Sequence, residues 1–246
     1  MNTFQRMGFF LLFLPSLAMA SSAVHLDQAH VNLGDQQSLQ RGAKYFVNYC
    51  LGCHALSYMR YSRLGKDLGL ADNQVTENLM FSANKIGEPM KIAMSPDDAE
   101  IWFGTVPPDL SVVARARGAD WLYTYLRGFY TDPSRPFGVN NRVFKDVAMP
   151  NVLAHLQGPQ QAVYVETMGH DGKPHKQLSH LEATAPGEMN TAEYDTLVRD
   201  LVNFLEYTGE PAKLVRTELG IKVLLFLLVF FVLAYLLKQE YWKDVH

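Results

Sequence analysis

The sequence predicts a mainly α-helical body with a small β-hairpin late in its course and one membrane-spanning helix at its C-terminal end. Three observations carry that expectation. From Val223 to Leu237 every residue except Ala234 and Tyr235 is Leu, Phe or Val. Several earlier segments repeat apolar residues at spacings of three and four behind recognisable helix caps. Between Gly158 and Gly187 the pattern changes to short alternating stretches around Asp171-Gly172.

The two ends organise the rest. The start, MNTFQRMGFFLLFLPSLAMASS, has one positive charge (Arg6), an apolar run from Gly8 to Leu17 and then Ala18-Met19-Ala20. That is the form of a secretory leader, residues 1–20, cut before Ser21. The run is shorter than the ~17–25 residues of a membrane span, and Pro15 interrupts it. At the other end, Leu219 to Leu237 would form a helix of ~28 Å at ~1.5 Å per residue, enough to cross the hydrocarbon. It has no polar face to turn toward solvent. Lys222 lies at its edge, where its ammonium can snorkel, and Tyr235, Tyr241 and Trp242 suit the far interface. Basic residues flank both ends, so orientation follows from the leader: residues 21–213 are exported, 214–238 are the anchor and 239–246 stay in the cytoplasm. In a bacterium this is a single-pass protein of the inner membrane with its body in the periplasm.

Between the anchors, 48% hydrophobic and 19% charged residues in a 246-residue chain suffice for one core with appendages. The net charge of −3, more negative once Arg6 leaves, and the lack of any Lys/Arg block exclude a nucleic-acid binder. No phosphate loop, G-x-S-x-G, HExxH or internal repeat is present. GDQQSLQRGAKYFVNYC predicts a helix capped by Asp35, with Leu39, Ala43, Phe46 and Val47 on one face. SPDDAEIWFG predicts another, with Ser95 as cap, Pro96 at the first position and Gly104 as stop. Further helices are expected over Asp109–Gly118 and Asp120–Gly128. The clearest is NTAEYDTLVRDLVNFLEYTGEP, where Asn190 and Glu193 form a capping box and Tyr194, Leu197, Val198, Leu201, Val202 and Leu205 share a face. Ala162–Glu166 and His175–Leu181 are the expected hairpin strands.

The only cysteines are Cys50 and Cys53, with His54 directly after them. Export favours a disulfide, but C-x-x-C would close a tiny loop and stabilise little. A thioredoxin-like pair lacks its βαβ surroundings, and zinc would need two further ligands of suitable spacing. C-x-x-C-H has one reading that uses every residue: covalent attachment of one haem c, with His54 as proximal iron ligand. A distal ligand would come from the methionines. Met80, Met90, Met94, Met168 and Met189 are open choices, whereas Met59 lies too near the attachment loop to reach the far face. Met149 is best placed, because FGVNNRVFKDVAMPNVL is a non-helical excursion ending in a Met held by Pro150. Its plain alternative is core filling.

With CLGCH, PPDLS followed by RARG, AMP and a C-terminal anchor in place, the chain resembles the cytochrome c1 family from about Gln37 to the C-terminus. The family is the haem subunit of the cytochrome bc1 complex, ubiquinol:cytochrome c oxidoreductase. The resemblance implies a class I cytochrome c-like haem domain with long loops. It implies haem attachment at Cys50 and Cys53, axial ligation by His54 and Met149, and a propionate contact from Arg117. It also implies that Pro107 and Pro108 lie against the haem. A family aromatic at that propionate falls on Trp121, which changes the hydrogen-bonding atom. The implied role is electron transfer from the Rieske iron–sulfur protein to a c-type cytochrome, beside cytochrome b, within a dimeric assembly embedded in lipid. The subunit is not expected to be catalytic alone. Asp97, Asp98 and Glu100 suit an acidic docking surface, although capping accounts for two of them. The competing readings are an anchored c-type cytochrome feeding a terminal oxidase or nitric oxide reductase, a haem peroxidase, and a zinc or thiol-redox protein without haem.

Overall fold

A computed structural model of the chain describes residues 25–168 and 174–243. The expected leader and the Asp171-Gly172 turn lie outside the described residues. Two crossing helices organise the core. Helix α1 (Gln36–Tyr49) begins at Asp35, whose carboxylate accepts from the Ser38 backbone N–H at 3.0 Å. Leu39, Ala43, Phe46 and Val47 are buried, as their spacing predicts. They meet α8 (Thr191–Gly209), which opens with the expected reciprocal box between Asn190 and Glu193. The contact is close because Gly42 has no side chain: a Cβ there would stand 2.1 Å from the Asp200 carbonyl oxygen. Phe46 and Phe204 pack beside it, and Arg41 pairs with the buried Asp200 carboxylate at 2.6 Å.

The remaining elements are short. Strand β1 (Leu56–Arg60) pairs antiparallel with β2 (Pro89–Met90) around α2 (Tyr61–Leu68) and α3 (Asp72–Asn78). Helix α4 (Pro96–Phe103) has Ser95 as cap and ends at Gly104 with φ of 68°, where glycine is favoured. Then come α5 (Val113–Arg117), α6 (Ala119–Arg127), the antiparallel pair β3 (Phe129–Thr131) and β4 (Val139–Asn141), and α7 (Ala154–Gln157). The hairpin β5 (Gln160–Met168) and β6 (Pro174–Ala183) is longer than the alternation suggests, with an irregularity in register between Val163 and Tyr164.

The helix expected over Asp109–Gly118 is a correction: only Val113–Arg117 is helical, because the Asp109 carboxylate accepts from the N–H groups of Ser111 and Ser57 instead of capping a longer helix. Helices α2 and α3 are too short for periodicity to announce them. Tertiary burial of Tyr61, Leu64, Leu68 and Val75 forms them instead. Helix α9 (Lys213–Tyr241) leaves the body after Glu210–Ala212, and Val215–Tyr241 is long and apolar enough to cross a membrane. Its described apolar side chains are exposed along its length, and Lys222 pairs with Glu218 at 2.6 Å near its start. The architecture is thus the expected mainly α body with a small hairpin and one C-terminal apolar helix.

Candidate functional site: a two-walled apolar cavity

A cavity of about 340 Å³ opens between α1, α6 and α8 and the loops before α5 and α7. Leu122, Leu126, Leu201 and Leu205 supply its apolar inner side. Cys50, Cys53, His54, Pro107, Pro108, Arg117 and Met149 all line it. The structure therefore brings together every site residue singled out in the sequence.

One wall is a continuation of α1. After Tyr49 the backbone keeps turning: Cys50 and Leu51 donate to the Phe46 carbonyl, and Cys53 and His54 donate to the Cys50 carbonyl at 3.0 and 2.8 Å. This winding sets both sulfurs and the imidazole on one short turn. Neither cysteine is in a disulfide. Burial, helped by the nearby Cys53, pushes the Cys50 thiol up to about 12, which disfavours its thiolate form.

His54 Nδ1 lies 2.8 Å from the Pro108 carbonyl oxygen. A carbonyl only accepts, so Nδ1 carries the hydrogen and Nε2 keeps its lone pair for a metal. Burial lowers the His54 pKa, against the opposing effects of Pro108 and Asp109, which favours the neutral ring a ligand needs. The Pro108 carbonyl is held in turn by the segment that follows it. Asp109 Oδ2 accepts from Ser57 N–H at 2.9 Å and Oδ1 from Ser111 N–H at 2.7 Å, while Leu110 N–H donates to the Ala55 carbonyl. Asp109 starts no helix; it ties PPDLS alongside the attachment turn.

The other wall is irregular. Met149 arrives on the loop between β4 and α7, beside buried Val147. Of the methionines among the described residues, it alone lines the cavity. Tyr125 donates its hydroxyl to Met149 Sδ at 3.3 Å. The loop is organised from its root by two buried asparagines. Asn140 Oδ1 accepts from the N–H groups of Asn141 and Asp146, and Asn141 donates to the Tyr125 carbonyl at 2.8 Å. Sequence reading missed Tyr125, Asn140 and Asn141; the adjacent asparagines in a loop otherwise closed by apolar residues were the available signal.

Arg117 ends α5 at the cavity rim, with its guanidinium 5.1 Å from the Trp121 ring centre and 5.9 Å from that of Phe144. Among the described residues no carboxylate pairs with it. Trp121 meets Arg117 through its ring face, so the indole serves here as a platform. Two sulfurs and an imidazole on one turn, a thioether on a separate loop, an apolar interior and a rim cation, all lining one cavity, fit an iron porphyrin. Among the described residues no three His, Cys, Asp or Glu side chains are grouped to hold a bare metal ion, so the zinc reading has no ligand set.

The sequence matches the Cytochrome C1 family over residues 28–245. It is 52% identical over 238 residues to the cytochrome c1 of Allochromatium vinosum, covering 96% of this chain and 97% of that one. A protein of Nitrosomonas europaea named ammonia monooxygenase gamma subunit is 50% identical over 237 residues, with 96% of each chain covered. The cytochrome c1 of Rhodospirillum rubrum is 30% identical over 236 residues, covering 86% of this chain and 83% of its own length. With a family match across nearly the whole chain and close relatives of matching length, the protein belongs to the cytochrome c1 family.

Proposed function

We propose that the chain is the haem c subunit of a respiratory ubiquinol:cytochrome c reductase, taking electrons from the Rieske iron–sulfur protein and passing them to a c-type cytochrome. The observation that carries the reading is the single cavity lined by both cysteines, His54, Pro107, Pro108, Arg117 and Met149. The bound haem supplies one-electron chemistry at its iron. The chain's own residues do the rest. Cys50 and Cys53 would attach the group through thioethers. His54 would offer Nε2 to the iron, because Pro108 holds Nδ1–H, and Met149 would offer its thioether sulfur. With both ligands supplied by protein, the iron would be left no site for a small substrate. Arg117 balances an anionic propionate, and the leucines exclude water from the interior. Pro107 and Pro108 close the side nearest His54.

Helix α9 anchors this domain in the bacterial inner membrane beside cytochrome b, with the cavity on the periplasmic side and a short cytoplasmic tail. The assembly is dimeric. Asp97, Asp98 and Glu100 lie on α4, whose Phe103 lines the cavity, and their charge suits a basic electron acceptor. Asp98 also accepts from the Ser95 hydroxyl at 2.7 Å, so it serves the helix start as well.

The test is a mild-detergent purification of the tagged chain from its native membrane, with reduced-minus-oxidised spectra and quinol-dependent cytochrome c reduction. Co-purifying b-type haem, an iron–sulfur protein and inhibitor-sensitive activity are expected. A chain that arrives alone with c-type haem is instead an anchored carrier for a terminal oxidase or nitric oxide reductase. A denatured chain without bound haem rejects both readings. The name of the Nitrosomonas relative points to another reaction, so the same preparation is assayed for ammonia oxidation, which is expected to be absent.

A further inference from the structure

The Tyr125 hydroxyl poses a question that haem attachment does not answer. A thioether is a weak acceptor, and a phenol in an apolar cavity spends its donor poorly on one. Phenylalanine would fill the same space. The ring is nonetheless held in place from two sides. It stacks on Trp121 at 4.9 Å with an interplanar angle of 11°, and Phe129 meets it edge-on at 5.1 Å. The Tyr125 carbonyl accepts from Asn141, so the residue's backbone is tied to the root of the loop that delivers Met149. The hydroxyl of this braced ring reaches Met149 Sδ at 3.3 Å.

A thioether sulfur has two lone pairs. A donor fixed on one leaves the other free for a cation and restrains rotation of the thioether. The positive end of the O–H dipole also draws electron density from the sulfur, which favours the electron-rich state of whatever the sulfur binds. We propose that Tyr125 is a positioning residue for Met149, selecting the lone pair that ligates the iron and raising the potential of the centre. The proposal rests on the haem reading given above.

The experiment compares wild type, Tyr125→Phe and Tyr194→Phe, each purified as the membrane-bound holoprotein. Tyr194 is a control outside the cavity lining, whose buried hydroxyl donates to the Leu126 carbonyl at 2.9 Å. Y125F keeps the ring and both aromatic contacts, so it tests the hydroxyl alone. The expected result is a lower midpoint potential in Y125F, by up to about 59 mV, which is a tenfold shift of a one-electron equilibrium. Its ferric methionine-to-iron charge-transfer band should shift, and imidazole should displace Met149 several-fold more readily. Y194F should change thermal stability while leaving potential and band alone. If Y125F matches wild type in potential, band and imidazole affinity, the role of Tyr125 is overturned while the haem reading stands. If wild type itself lacks covalent haem or the methionine band, the haem reading fails and the proposal with it.

Discussion

The two walls of the cavity are built on opposite plans. The His54 wall is local: α1 continues through Cys50–His54 by consecutive backbone hydrogen bonds, and PPDLS is tied against it. The Met149 wall is assembled at a distance. Its sulfur sits on a loop with no helix or strand of its own, and what places it are contacts from α6 and two buried asparagines. A wall made by one continuous segment needs few residues to specify it. A wall made by a loop needs partners from elsewhere in the chain, each of which is a point where it can fail.

Replacing both Cys50 and Cys53 with Ser should have the largest effect. Covalently bound haem should vanish from the denatured chain, read by haem stain on a gel and by intact mass; retained haem would contradict the attachment site. Met149→Leu comes next and separates the walls. Covalent haem should persist while the methionine band is lost, carbon monoxide binds, and the potential falls by more than the ~59 mV of a tenfold shift. A variant with wild-type spectra would mean the distal wall is built around another residue.

Asp109→Ala tests the local wall from behind. It removes two acceptors from a partly solvated site, so denaturation should show a loss of about 1 kcal/mol. Although burial pushes the Asp109 pKa up, the hydrogen bonds from Ser111 and Ser57 prevail and it lies below the ordinary carboxylate value. Its stabilisation is therefore present above the unfolded value and lost as pH falls through the folded one. The acid limb of the stability profile should flatten in D109A, and an unchanged limb would remove Asp109 from the account. The smallest effect is expected from Arg117→Gln. Both axial ligands remain, and loss of a rim cation should lower the potential by less than a tenfold shift, an effect weakened by salt.

What could be read in advance follows the same division. Helices α1 and α8 were legible because each carries its own cap and a long apolar face, and the attachment turn was legible because Cys50, Cys53 and His54 are adjacent. Met149 could be preferred among the methionines from its loop context, and the family resemblance strengthened that choice. Tyr125 was invisible for a definite reason: on α6 it reads as one more aromatic in a helical stripe, and its role depends on a sulfur brought in from the loop after β4. Asp109 was misread because an Asp before an apolar run signals a cap equally well whether or not a helix follows.

The junction between α8 and α9 has a further consequence. Only Glu210–Ala212 separate the two helices, a reach of at most ~11 Å even if fully extended. Lys213 pairs with Glu206 across that joint, and Arg216 pairs with Glu210 beside it. With α9 held in a bilayer, a tether so short would limit how far the domain swings, and encounters would depend more on the molecules that visit it. Lengthening the joint with a flexible insert would change encounter rates without altering a single atom around the cavity.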